Sequence, residues 1–393
     1  MQTEYRYLLH LLRAYLHRDI PEACANVDWQ KLAQLAGIHH VSGILGTMVK
    51  QYPICPDDRI KTALWKRCLG TVQVFTQRMM LADNLVSALE EAGIDHILMK
   101  GYELRNLYPD PDLRSFNDID IVIRPEDRRR CDELMLSRGF LRHTDWEPVF
   151  SYVLKDELYE IHTDIMEIDV AEVGSQQAYF RQMWDHAHPV REHSYRFTPE
   201  FHFLYLLTHI AKHVHGSGAG VRMYLDIAAF IRHYKDSADW VWISQQLEVL
   251  QLKRFTDVVF AAAEHWFGVR CPVARGEVPE DVLDEFLVFT MEAGTFGHYQ
   301  RDAALVNLKN TDTGRNGFRV RQILKTAFPS AKTIESRYTY LQDRPWLLPA
   351  AWVHRLVKNR DRLEQQTQEL HQVFRADAEQ VRSLQKLMRS IGL

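Results

Sequence analysis

Asp118 and Asp120 stand two residues apart inside the run Asn117-Asp118-Ile119-Asp120-Ile121-Val122-Ile123. Side chains alternate across a β-strand, so the two carboxylates share one face while Ile119 and Ile121 turn to the other. Like charges so close repel, and burying them unpaired is costly. A cation offsets that cost. Carboxylate oxygens suit a hard ion such as Mg²⁺, which keeps positions for water and phosphate. A third carboxylate on a neighbouring strand would complete a two-metal arrangement. Glu160, in Leu158-Tyr159-Glu160-Ile161-His162, is the best candidate, ahead of Asp164 and Asp169.

Upstream, Lys100-Gly101 closes an apolar run and opens a short helix. Glycine lets the backbone approach a phosphate closely, and a helix N-terminus favours an anion. Lys100 adds positive charge, and Arg114, four residues before Asp118, is placed to reach the same phosphate. Each piece alone reads as an ordinary turn or surface ion pair; together they describe an anion site beside a metal site.

A second cluster lies further on, in His209-Ile210-Ala211-Lys212-His213-Val214-His215. His209 and His213 fall four apart on one helical face, a spacing that imidazole metal sites use. Asp226 would add a carboxylate, and the set would then resemble a metal-dependent phosphohydrolase. No Glu stands between the histidines as in His-Glu-x-x-His, so packing or substrate orientation is the favoured role. Arg222, after the loop Gly216-Ser217-Gly218-Ala219-Gly220, is a candidate phosphate or acceptor contact. Trp240, Trp242 and Trp266 read as packing residues, and Arg128, Arg129 and Arg130 as a solvated helix face.

The elements that must position these groups follow from periodicity. Residues 1–92 read as an N-terminal helical region, with Leu8, Leu11, Leu12, Tyr15 and Leu16 at helical spacing. A further helix runs from about Pro56 to Ala92, with room for a break, and Gly93 is its stop. Residues 93–197 form an α/β catalytic core. Its strands are expected at Ile94–Met99, Asp118–Ile123, Val149–Leu154 and Leu158–Ile165. Short helices follow Lys100-Gly101, over Tyr102–Tyr108, and Pro125, ending near Gly139. Residues 198–270 form a helical domain whose first helix has Thr198 as N-cap and Pro199 at its first position. Residues 271–393 form a C-terminal helical region, with a linker at 272–284, an exposed loop at Asn307–Asn316 and a charged helix at Arg355–Arg389.

The 393 residues suffice for two or three domains, and 46% hydrophobic with 25% charged residues is an ordinary globular balance. A net charge of −4 disfavours bulk nucleic-acid or anionic-membrane binding. Five scattered cysteines argue for a reducing compartment and against a zinc ribbon. With no apolar run near the roughly 18 residues of a membrane span, a cytoplasmic protein is expected.

The residues around the carboxylates resemble the nucleotidyltransferase superfamily: an apolar strand, Gly-Ser or Gly-Gly, Asp-x-Asp, then a third acid on a later strand. The chain is more closely similar to the uncharacterised nucleotidyltransferase family, related to the polymerase-beta-like and aminoglycoside-nucleotidyltransferase groups. The likeness is carried by Leu98-Met99-Lys100-Gly101, Leu107-Tyr108, Leu113-Arg114-Ser115, Asp118-Ile119-Asp120-Ile121-Val122 and Glu160-Ile161-His162. It continues in His209, His213, His215, Arg222 and Leu225-Asp226-Ile227-Ala228, then Phe328-Pro329-Ser330 and Arg337-Tyr338, so that about residues 85–360 are covered. The resemblance implies an α+β fold, a nucleotidyltransferase-like mixed sheet with helices, flanked by N-terminal and C-terminal helical regions. It implies transfer of a nucleoside monophosphate from a nucleoside triphosphate, ATP among the donors, with two Mg²⁺ ions on Asp118, Asp120 and Glu160. Asp120 would bridge the ions. Lys100, Gly101, Tyr102 and Arg114 would hold the donor, and His162, His209, His213, Arg222 and Asp226 the substrate. The chain departs from the superfamily at Tyr102, which follows Gly101 where a serine hydroxyl is usual; a nucleotide-binding module without turnover is therefore the competing reading. The acceptor would be a hydroxyl or amine on a small molecule or protein, favoured over a long nucleic acid, and no membrane is involved.

Overall fold

A computed structural model of the chain describes residues 2–155, 157–166, 170, 176–216, 218–294, 328–334, 338, 340–358 and 378–393. The expected N-terminal helices are α1 (Gln2–His17), α2 (Trp29–Ile38), α3 (Ser42–Gln51) and α4 (Asp58–Glu91). The 34 residues of α4 run without a break, a rod of about 50 Å at 1.5 Å per residue. The Asp57 side chain caps its start by accepting from the Arg59 and Ile60 N–H groups. Gly93 ends it at φ +63°, which glycine adopts without steric cost.

The strands are β1 (His96–Leu98), β2 (Asp118–Ile123), β3 (Leu141–Trp146), β4 (Val149–Leu154), β5 (Glu157–His162), β6 (Ala187–Pro189) and β7 (Ser194–Phe197). They form one mixed sheet in the order β3-β4-β5-β2-β1-β7-β6, with β2 parallel to β5 and antiparallel to β1. The fold is thus α+β, as expected. The strands β2 and β4 keep their expected bounds, whereas β1 is shorter and β5 spans Glu157–His162. Periodicity does not reveal β3, β6 and β7. In β3 the run Leu-Arg-His-Thr-Asp-Trp has no apolar alternation, and Leu141 is itself 71% exposed.

Helices α5 (Gly101–Leu104), α6 (Arg128–Ser137) and α7 (Gln176–Phe180) punctuate the sheet. The expected helix over Tyr102–Tyr108 is a single α-turn continued by a 3₁₀ turn at Arg105–Leu107. After the sheet come α8 (Pro199–Gly216), α9 (Val221–Tyr234), α10 (Trp240–Val249), α11 (Lys253–Phe267) and α12 (Glu280–Ala293). Thr198 Oγ1 accepts from the Phe201 N–H, the expected cap. The linker expected at 272–284 is only partly so, because α12 begins at Glu280, where an acidic first turn suits a helix N-terminus. Asn307–Asn316, Asp169 and Arg337 lie outside the described residues; of the charged C-terminal helix, Leu348–Lys358 and Ala378–Ile391 are described.

Alternation along β2 divides the core. Ile119, Ile121 and Ile123 pack with Leu85 and Leu89 of α4 and Met135 of α6. Val122 packs on the other face, with Ile97, Met99 and the helices around α8 and α9. Asp118 and Asp120 share the face of Val122. Because the period is two, a slip of one residue would send all three isoleucines to the wrong side. The larger cluster joins helices far apart in the sequence: Leu8 and Leu12 of α1 lie in it with Phe260 and Phe267 of α11. The same cluster takes in Trp240 and Trp266 as buried residues, with Trp242 packed against it. Arg128 instead stacks on Phe150 and pairs with Asp145, so of the three arginines Arg129 is the most solvated.

Candidate active site

Parallel pairing of β2 and β5 sets Asp120 opposite Glu160 and Asp118 opposite Leu158. Residues opposite each other in a ladder point to the same face. Asp120 and Glu160 therefore meet beneath the end of α8. Lys100 joins them from the turn between β1 and α5. Its backbone is held at φ +48°, a conformation that few residues other than glycine adopt.

Asp120 is only 1% exposed. Its Oδ1 accepts from Lys100 Nζ at 2.7 Å and from His162 Nε2 at 3.0 Å. A carboxylate only accepts, so Nε2 carries the imidazole proton. The other oxygen, Oδ2, is buried and receives no hydrogen bond from the described residues. Burial would raise the Asp120 pKa, but Lys100 and His162 overcome it and hold the carboxyl well below the usual range. Lys100 stays charged: burial works against it, yet Asp120 raises its pKa well above the ordinary lysine value. His162 is likewise raised, since its hydrogen bonds to Asp120 and Glu160 outweigh burial. Asp118 has no such partner, and the charge of Asp120, helped by burial, pushes it up to about 6.

These groups fit a divalent metal. Among the described residues, Asp120, Glu160 and His162 are the one set of three metal-ligating side chains whose ligand atoms lie within 4.8 Å of one another. The unpartnered Asp120 oxygen and the crowding of the Asp118 and Asp120 charges add two further reasons for a cation. An oxygen-rich donor set suits a hard ion.

Lys100, Asp118, Glu160 and His162 line a cavity of about 290 Å³, with Asp120 buried just beneath. The facing wall is α8. Tyr205, His209 and His213 stand one turn apart along it, and the histidine Nε2 atoms are hydrogen-bonded at 3.1 Å. Burial pushes His209 well below the ordinary imidazole value and His213 to about 4, so both are neutral at physiological pH.

Several expected site residues are paired with protein groups, although Gly101, Arg114 and Asp226 also line this cavity. Arg114, expected at a phosphate, forms a buried fork with Asp226: Nη2 to Oδ2 at 2.8 Å and Nε to Oδ1 at 3.1 Å. The Tyr108 hydroxyl donates to the same Oδ1 at 2.7 Å. Asp226, expected at the substrate, thereby has both oxygens engaged. It completes no metal set with His209 and His213, and the phosphohydrolase arrangement is not formed among the described residues. Tyr102, expected at the nucleotide, turns to the opposite side and donates to Asp83 on α4 at 3.0 Å. Gly101 does mark a close approach, but to protein: a Cβ there would meet Phe116 Cβ at 2.6 Å and Arg114 Nη1 at 2.8 Å. His162, expected to bind substrate, borders the cavity but holds Asp120. Arg222 does reach the cavity, donating Nη1 to the Ser115 carbonyl while its buried Nε has no partner among the described residues. Tyr205 and Asn117 line the cavity without having been singled out in the sequence. Tyr205 was within reach, being four residues before His209 on the same helical face.

The chain matches the family described as "Uncharacterised nucleotidyltransferase" over residues 25–268. No curated protein matches it in sequence. The solution structure of the antibiotic-resistance factor ANT(2'')-Ia, reported to show substrate-regulated conformation dynamics, is similar at 15% identity. That likeness covers 48% of this chain and 96% of the other with a TM-score of 0.33, too slight to bear on substrate or mechanism.

Proposed function

This chain belongs to the uncharacterised nucleotidyltransferase family, and from that premise we propose that it moves a nucleoside monophosphate from a nucleoside triphosphate to a hydroxyl or amine acceptor in a Mg²⁺-dependent reaction. The observation that supports the reading is the pairing of Asp120 on β2 with Glu160 in register on β5, beside a cavity that Asp118 and Glu160 line. Mg²⁺ held by these acids would neutralise triphosphate charge and acidify the acceptor group.

The chain's own residues supply the rest. Lys100 and Arg222 bring positive charge to the cavity that would receive the phosphates. His209 and His213, neutral and exposed to the same space, orient an acceptor by hydrogen bonding without competing for metal charge. His162 fixes the Asp120 carboxyl and so positions the acidic centre. At about 290 Å³ the cavity is at the small end of ligand sites, usually about 300–1,000 Å³. The net charge of −4 favours a small molecule or a protein side chain as acceptor over a long nucleic acid. No described helix is long and apolar enough to cross a membrane. Five unpaired cysteines accord with a reducing, cytoplasmic setting.

The test is incubation with each labelled nucleoside triphosphate, Mg²⁺ and pooled acceptors. Pyrophosphate release that Asp118→Ala and Asp120→Ala abolish is expected; release that survives both changes would sink the reading.

A further inference from the structure

A two-metal centre places its ions about 3.5–4 Å apart, with the central carboxylate shared between them. In this chain Asp120 is central, but its Oδ1 already faces a cation, the Lys100 ammonium at 2.7 Å. The Lys100 side chain is only 18% exposed, so it is inserted into the site and not merely passing over it. The same oxygen also accepts from His162 and has no capacity left for a metal.

The turn that aims Lys100 is wedged in place. Its backbone stands at φ +48°, and the next residue, Gly101, is packed so closely on Phe116 and Arg114 that it has no room even for a methyl group. Strained conformations of this kind persist only where the surroundings determine them. What remains open to an ion is the unpartnered Oδ2 of Asp120, with Asp118 and Glu160 at the cavity wall.

We propose that Lys100 is a built-in cation that takes the place of one metal ion, so that this centre binds a single divalent ion at Asp120 Oδ2 and Glu160, with Asp118 adding negative charge from the same strand face. The proposal rests on the nucleotidyltransferase reading and departs from the two-ion centre which the family resemblance implies. A second divalent ion at Oδ1 would have to expel the lysine, because ammonium and metal repel and compete for the same lone pairs.

The experiment is Mn²⁺ titration of the full chain, followed by electron paramagnetic resonance, with Mn²⁺ alone as the probe. Wild type is expected to bind one Mn²⁺ per chain with the six-line spectrum of an isolated ion. Lys100→Met removes the charge at similar length and is expected to double the count, giving a spectrum broadened by coupling between neighbouring ions. Lys100→Arg is expected to keep the count at one. Two coupled ions in wild type, a count of one in folded Lys100→Met, or no bound Mn²⁺ overturns the proposal. Should Lys100→Met not fold, the wild-type count decides alone. Pyrophosphate release is measured on the same wild-type preparation. Two coupled ions with turnover remove the lysine proposal and leave the transferase; one ion without turnover keeps the single-ion count and removes the transferase.

Discussion

Asp226 lines the cavity, Asp120 lies buried beneath it, and the two are built from similar parts, yet one is open and the other closed. Both are buried, and each is paired with a base, the partly exposed Lys100 or the buried Arg114. Around Asp226, Arg114 spans both oxygens and Tyr108 adds a third bond. Around Asp120, Lys100 and His162 converge on one oxygen and leave the other unpartnered. A guanidinium fork matches a carboxylate edge to edge, whereas an ammonium is a point charge that engages one oxygen. The choice of base therefore decides whether a buried aspartate becomes a fastener or a ligand. The closed pair ties α9 to the loop before β2, and the open one retains capacity for a cation.

Breaking the open member should have the largest effect. Asp120→Asn is expected to lower turnover by about 10³-fold or more, on the scale of losing a principal electrostatic group. Its stability should change less, because relief of repulsion with Asp118 offsets the weakened Lys100 pair; steady-state rates and urea melts check both halves. Next comes the closed member. Asp226→Ala strands the Arg114 charge in the core and should cost about 3–5 kcal/mol in urea unfolding. Adding Arg114→Met to Asp226→Leu should regain most of that loss, since a buried pair replaced by apolar groups is often neutral. If the double variant stays as unstable as the single one, the fastener role fails.

A smaller effect is expected at Gly101, which follows Lys100 and packs on Arg114. Gly101→Ala presses a methyl group into Phe116 and Arg114 and shifts the turn carrying Lys100. Overpacking of this kind costs about 1–3 kcal/mol, visible in a thermal melt together with a reduced rate. The smallest effect is a pH dependence confined to the open site. Asp118 has its pKa raised from 3.8 to about 6, so the folded chain holds a proton there that the unfolded chain has released, and stability falls as pH rises across that window. A metal ion competes with that proton. Mg²⁺ should raise the melting temperature by a few degrees at about pH 7.5 and by much less at about pH 5. An equal shift at both values would show that Asp118 takes no part in binding.

Legibility followed the range of the interactions. Asp118, Asp120 and the isoleucines between them could be read directly, because a two-residue period is local and survives any packing. Glu160 was legible as an acid on a nearby apolar strand. The roles of Arg114, Tyr102 and Asp226 were not, since each depends on a partner that linear spacing does not reveal. Arg114 meets Asp226 across 112 positions, and Tyr102 meets Asp83 only because α4 runs beneath the turn. The strands β3, β6 and β7 escaped for a different reason: β3 and β6 are edge strands with little apolar alternation, and β7, although paired on both sides, is only four residues long.

By itself the sequence determined that two carboxylates share one face of a strand, with a lysine-glycine turn just upstream and histidines at helical spacing beyond. Those are consequences of backbone geometry, which every short segment carries with it. Only the tertiary structure decided that Lys100 reaches Asp120 on one oxygen alone, that Arg114 closes Asp226 on both, and that the histidines face the acids across a cavity. Such outcomes depend on where packed helices and strands set side chains distant in sequence, which no short segment specifies by itself.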